Sequence, residues 1–182
     1  MHGALPTVPL GGPETAGVGA DFLNAFLKHC DSEQNYASGK TGTRLDFISF
    51  HAKGGVDISG DHVRMNLGNQ LAQHLSGFQV VASSAKFKKA PIVLGEADPD
   101  GCGACSSPPA NAYRSMAAYG VYELAMMKHS QTLADQAGVT LQGVTTWAWM
   151  FKDQPFFANF RQLQTNGIHL LVLNVYKMLG QL

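Results

Sequence analysis

Short apolar runs alternate with longer amphipathic stretches along almost the whole chain, and this order constrains the fold more than any single motif. The run at residues 5–10 stops at the turn signal Gly11-Gly12-Pro13. The run at residues 45–50, Leu-Asp-Phe-Ile-Ser-Phe, reads as a strand, and so does Ile92-Val93-Leu94-Gly95-Glu96, opened by Pro91. A fourth strand is expected from Leu141 to about Met150. Between the runs, Asp21 stands as the expected capping residue before Phe22, Leu23, Phe26, Leu27 and Cys30 at helical spacing. Asp61 is placed to cap a helix carrying Val63, Leu67, Leu71, Leu75 and Phe78. Further helices are expected at residues 112–137, closed by Gly138, and at 170–179; the polar stretch 31–43 reads as loop. A helix after each strand returns the chain to the same end of the sheet. The expectation is an α/β fold with a parallel sheet of about four βα units.

In such a sheet the chemistry gathers where the strands finish, so the polar residues there carry the functional reading. They are Gly12, His51, Lys53, Glu96, Asp98 and Trp147. A carboxylate that follows four apolar residues sits at the rim of a buried strand and needs a partner. Glu96 is therefore either a functional carboxylate or half of a structural ion pair. His51 ends an apolar strand, where a histidine can equally be a hydrogen-bonded core residue. Trp147 and Trp149 alternate, so one faces the site side of the strand and the other packs beneath a helix.

Charge narrows the classes of function. Thirteen Lys and Arg balance thirteen Asp and Glu, leaving no basic field for a nucleic-acid partner. Charged residues make up 14% of the chain, against about 25% in an ordinary soluble domain. That deficit suggests a face that expects to be covered. No apolar run approaches the roughly 20 residues that cross a bilayer, and residues 1–10 lack the cationic and apolar regions of a signal peptide. A soluble chain is expected, of unassigned compartment.

Two local motifs compete with the strand-end reading. Residues 96–101, Glu-Ala-Asp-Pro-Asp-Gly, imitate the first half of a calcium loop, but the twelfth position is Ser107 and Pro99 stiffens the turn. Cys102-Gly103-Ala104-Cys105 has the spacing of a redox dithiol. Two prolines separate it from the helix that would stabilise a thiolate, so a local disulfide or buried thiol pair is the plainer expectation. No metal or cofactor is expected.

Six segments taken together resemble glycoside hydrolase family 39, the family of β-xylosidases and α-L-iduronidase. They are Leu10-Gly11-Gly12-Pro13, residues 45–54 with His51-Ala52-Lys53-Gly54, and Pro91 through Glu96-Ala97-Asp98-Pro99. The others are Thr146-Trp147-Ala148-Trp149, Asp153-Gln154-Pro155-Phe156, and residues 165–176 beginning Thr-Asn-Gly. The resemblance implies a (β/α)8 TIM barrel of which residues 1–182 are the C-terminal half, their strands being the fifth to eighth. It implies a retaining double displacement with Glu96 as nucleophile. It also implies that Lys53, matching the lysine of the family's His-x-Lys-Gly segment, contacts a substrate carboxylate, and that Asp98 lines the site. His51 and Trp147 join them as substrate-binding residues. The implied partner is a carbohydrate, a xyloside or a uronide. The missing half of the barrel, or a second copy, would lie across the open sheet edges.

A retaining glycosidase needs two carboxyl groups about 5 Å apart. The chain has four glutamates, Glu14, Glu33, Glu96 and Glu123, and none follows an asparagine, as the family's acid does. The fragment alone is therefore expected to be inactive. After the Trp-Ala segment, where the xylosidase-like members carry acidic residues, this chain has Met150 and Lys152. Two rival functions remain: a non-catalytic carbohydrate-binding or self-pairing half-barrel module using Trp147 as a platform, and a dithiol oxidoreductase built on Cys102 and Cys105.

Overall fold

The structure is a computed structural model describing residues 7–104, 109–148 and 152–181. It divides into two compact units.

The first unit comprises Met1–Ala52, Ala72–Glu96 and Ser130–Thr145. Its frame is a four-stranded sheet in the order β1-β2-β5-β6. The strands are β1 (Gly11–Thr15), β2 (Phe47–Lys53), β5 (Ile92–Asp98) and β6 (Leu141–Val144). β1 pairs with β2 in parallel, and β5 with β6. The last residue of β2 and the last two of β5 belong to the second unit. Helix α1 (Ala20–Ser32) buries Leu23, Leu27 and Cys30. The core adds Ile48, Phe50, Ile92 and Leu94 from the sheet with Phe78 and Val81 from α2 (Leu67–Ser83), all fully buried. Phe50 and Phe78 meet edge to face with centroids 6.4 Å apart. Gly77 leaves room for the Phe50 ring, and Gly11 for that of Phe47.

Three sequence expectations change in this unit. The first strand lies on Gly11–Thr15, the segment read as a turn, because its backbone pairs with β2 whatever its apolar content. Asp21 is in the first turn of α1 rather than at its cap, which is Gly19 in the left-handed conformation. β6 ends at Val144, short of the expected Met150. Thr145 turns its hydroxyl onto the carbonyls of Leu94 and Gly95. Trp149 and Met150 lie outside the described residues.

The second unit comprises Lys53–Leu71, Ala97–His129 and Thr146–Leu182. It contains two hairpins. β3 (Asp57–Ser59) and β4 (His62–Arg64) pair across Gly60 and Asp61. Val63 is thus a strand residue, and Asp61 is a turn residue rather than a helix cap. β7 (Gln164–Thr165) and β8 (Ile168–His169) turn through Asn166 and Gly167, both with positive φ, as an Asn-Gly hairpin requires. The helices are a 3-10 segment (Pro109–Ser115), most of α3 (Ala117–Ala137), and α4 (Leu171–Leu179). Tyr113, Tyr119, Leu170 and Val172 form the core of this unit. No helix among the described residues is long and apolar enough to cross a membrane.

Gly54, next after β2, is tightly enclosed. A methyl group there would overlap the Met65 carbonyl oxygen and stand 2.9 Å from that of Pro99. Both obstacles are backbone, so Gly54→Ala is expected to cost about 3 kcal/mol in urea unfolding. Gly101→Ala, where nothing lies within 4 Å, should leave the midpoint unchanged.

Candidate functional site

In the first unit the sheet assembles three side chains at the ends of neighbouring strands. His51 on β2 stands between two carboxylates. Its Nε2 lies 2.9 Å from Glu14 Oε1, and its Nδ1 lies 3.6 Å from Glu96 Oε2. The ring is largely covered, at 15% exposure, while the Glu96 side chain keeps 26% and Glu14 44%. A partly open carboxylate thus lies at the rim of the parallel sheet, facing an imidazole. Glu96 and His51 stand out in the sequence by ending apolar runs, whereas Glu14 does not, because it follows the turn signal Gly11-Gly12-Pro13.

In the second unit, Asp98 is the centre of a buried polar network. It accepts from Lys53 Nζ at 2.7 Å, from the Thr146 hydroxyl, and from the Trp147 backbone N–H at 3.2 Å. Arg161 Nη2 lies 3.3 Å away. Arg161 is fully buried and also donates to the carbonyls of Asp100, at 2.7 Å, and Trp147, at 2.8 Å. Asp100 is held in turn by Arg114 Nη2 at 2.7 Å and by the Tyr113 hydroxyl. Burial alone would raise the Asp100 carboxyl. The Tyr113 hydrogen bond and the charges of Arg161 and Arg114 outweigh it and hold the group below its ordinary value.

Asp98 and Asp100, which the calcium reading of residues 96–101 would use as ligands, are instead paired with Lys53, Arg161 and Arg114. Among the described residues no group of three or more His, Cys, Asp or Glu is arranged to hold a metal. Cys102 is disulfide-bonded and Cys30 is a free, buried thiol; Cys105 lies outside the described residues. The Cys102 backbone is fastened at both ends, its N–H to Asp100 at 2.8 Å and its carbonyl to Arg114 at 2.8 Å.

The second unit also buries Glu123 completely. Its Oε2 accepts from the Tyr176 hydroxyl at 3.2 Å, and its Oε1 has no hydrogen-bond partner among the described residues. Burial, followed by the nearby Asp98 charge, pushes this carboxyl up to about 8, so it is a neutral acid at neutral pH. The signal for Glu123 was present in the sequence. It shares a helix face with Tyr119, Tyr122 and Met126, all buried at helical spacing. No such periodicity marks Arg161, which follows an irregular segment.

No protein-family model matches the chain. Among curated proteins it is 34% identical to the α-L-iduronidase of Mus musculus over 100 residues and 30% identical to that of Homo sapiens over 107. Over those stretches it is similar to the α-L-iduronidases. These matches cover 53% and 54% of this chain but only 14% of each relative, so the shared stretch is a small part of a longer enzyme. Among solved structures, a bacterial orthologue of human α-L-iduronidase superposes with a TM-score of 0.71 at 20% identity. That superposition covers 90% of this chain and 26% of the bacterial one. At that identity the likeness is one of fold, and it agrees with the iduronidase-like α/β arrangement of parallel strands and four α-helices described above.

Proposed function

We propose that this iduronidase-like chain supplies the nucleophile and part of the sugar-binding wall of a retaining exo-glycosidase, and that its four-stranded sheet is strands five to eight of a (β/α)8 barrel. Glu96 attacks the anomeric carbon. His51 faces the carboxylate that attacks. Lys53 binds the sugar, its ammonium group suiting the carboxylate of a uronide, while Asp98, fully buried and so closed to the sugar that the resemblance implied for it, holds Lys53 from behind at 2.7 Å; Trp147 contributes a wall. The observation that carries the reading is the placement of a partly exposed Glu96 at the end of a parallel strand, against an imidazole. The curated relatives favour a uronide over a xyloside.

The family's acid, carried in an Asn-Glu pair, has no counterpart in these residues. An alkoxide leaving group would depart without a proton, so hydrolysis of ordinary glycosides by this chain is expected to be negligible. A leaving group that needs no proton isolates the first step. With a 2-fluoro glycosyl fluoride of the iduronic or xylo series, an oxygen of Glu96 bonds to C1 while the C1–F bond breaks and fluoride leaves with the electron pair. The expected result is a covalent adduct in the intact mass, mapped by peptide analysis to Glu96 and absent in Glu96→Gln. An unchanged mass with both sugars overturns the reading. Sugar-dependent tryptophan fluorescence with no adduct would favour the binding-module alternative.

A further inference from the structure

Glu14 has no place in the family resemblance, yet three features of the first unit converge on it. Its Oε1 makes the closer of the two contacts to the His51 ring, 2.9 Å against 3.6 Å for Glu96. Its backbone holds φ at 56°, a left-handed conformation that a residue with a side chain adopts only where its surroundings impose it. Its carboxylate also occupies the space above Gly95, where any side chain would overlap Glu14 Oε1. Gly95 is the residue immediately before Glu96, so the carboxylate of Glu14 lies along the very strand that presents the candidate nucleophile.

We propose that Glu14 is a positioning residue, clamping His51 Nε2 so that Nδ1 is turned toward Glu96. This rests on the reading of Glu96 as nucleophile for its catalytic meaning, though not for its geometry. A histidine ring pivots about its last side-chain torsion, and half a turn exchanges the edge it presents. An acceptor fixed on Nε2 removes that freedom, because turning the ring breaks the shorter contact. Separation and orientation at the attacking group set how often a reactive geometry is reached, so loss of the clamp reduces the rate of attack more than the binding of sugar.

Two substitutions remove the clamp by different routes. Glu14→Ala deletes the acceptor, whereas Gly95→Ala keeps Glu14 and expels its carboxylate from the space it fills. Glu14→Gln retains an oxygen acceptor and serves as the conservative rescue. In the fluorosugar trapping experiment, the maximal rate of Glu96 labelling is expected to fall about tenfold in Glu14→Ala and in Gly95→Ala. The half-saturating sugar concentration should change little, and Glu14→Gln should stay within about twofold of the unsubstituted chain. A structural role alone would shift the unfolding midpoint without this split.

The two readings fail separately. If the unsubstituted chain is not labelled, the nucleophile reading falls, and long-range 15N–1H correlation of the His51 ring decides the clamp. Support is one ring-nitrogen pattern shared by the unsubstituted chain and Glu14→Gln, with a different pattern in Glu14→Ala and Gly95→Ala. Identical His51 patterns in all four proteins, or equal labelling rates where labelling occurs, overturn the proposal.

Discussion

Asp98→Ala is expected to destabilise the chain by about 3–5 kcal/mol, a large part of the total stability of a domain this size. Asp98 is fully buried, and the substitution takes from Lys53 and Arg161 a carboxylate that both contact, leaving Arg161 with Asp100 at 3.3 Å. It also leaves the Thr146 hydroxyl and the Trp147 N–H without their acceptor. The cost comes less from losing attraction than from leaving the fully buried Arg161 charge and the Thr146 and Trp147 donors under-compensated. A double-substitution cycle separates the two. Arg161→Met placed on top of Asp98→Ala should cost less than the sum of the single losses, by about 1–3 kcal/mol, because the second change removes a cation that has already lost its Asp98 contact. Urea midpoints of the four proteins measure this directly, and strict additivity would show that Asp98 and Arg161 are not coupled.

Stability should also depend on pH in a way that identifies Glu123. Its carboxyl rises from 4.5 to about 8 on folding, through burial and the Asp98 charge, with the Tyr176 hydroxyl, Arg161 and Lys53 opposing. A carboxyl raised by folding contributes fully below its unfolded value. That contribution drains away as pH climbs from about 4.5 to about 8, because the unfolded chain releases the proton first. The slope is about 1.4 kcal/mol for each pH unit.

His74 works in the other direction. It is fully buried in the first unit, bonded to the Ser130 hydroxyl at 2.7 Å, and burial lowers it from 6.5 to about 4. Its contribution is present above about 6.5 and is lost as pH falls toward 4. Where the chain unfolds in one transition the two slopes cancel between about 4.5 and 6.5. The expected curve is level across that interval and falls from about 6.5 to 8. In Glu123→Gln the alkaline fall should vanish and the His74 limb should emerge. Parallel curves for the two proteins would show that Glu123 is not held neutral.

The parts of the fold that were legible are those where burial repeats along one element. β2 and β5 are dense apolar runs bounded by glycine or proline, and α4 follows its apolar stripe to within a residue of the expectation. The misread parts are those where a local pattern imitates another. Val63 stands four places before Leu67, a helical interval, so a β-strand residue passed for the start of α2, although Gly60-Asp61 is a hairpin turn signal. β1 has almost no strand-like composition and is a strand only because β2 offers it a backbone to pair with.

The same division runs through the candidate site. Alternation along a strand and periodicity along a helix record which face is buried, and they make β2, β5, α1 and α4 legible and put Glu96, His51, Lys53 and Asp98 at strand ends. What those residues hold is set by segments far away in the chain. Lys53 meets Asp98 across 45 residues of chain and Arg161 reaches Asp100 across 61, separations at which no local pattern carries information. Glu14 was visible as a glutamate beside a turn. It became a partner of His51 when the parallel pairing of β1 with β2 brought the two strand ends together and Gly95 left the space its carboxylate fills. Burial is a property that one residue carries with its neighbours in sequence, whereas the partner of a buried charge is set by which distant segments fold against it.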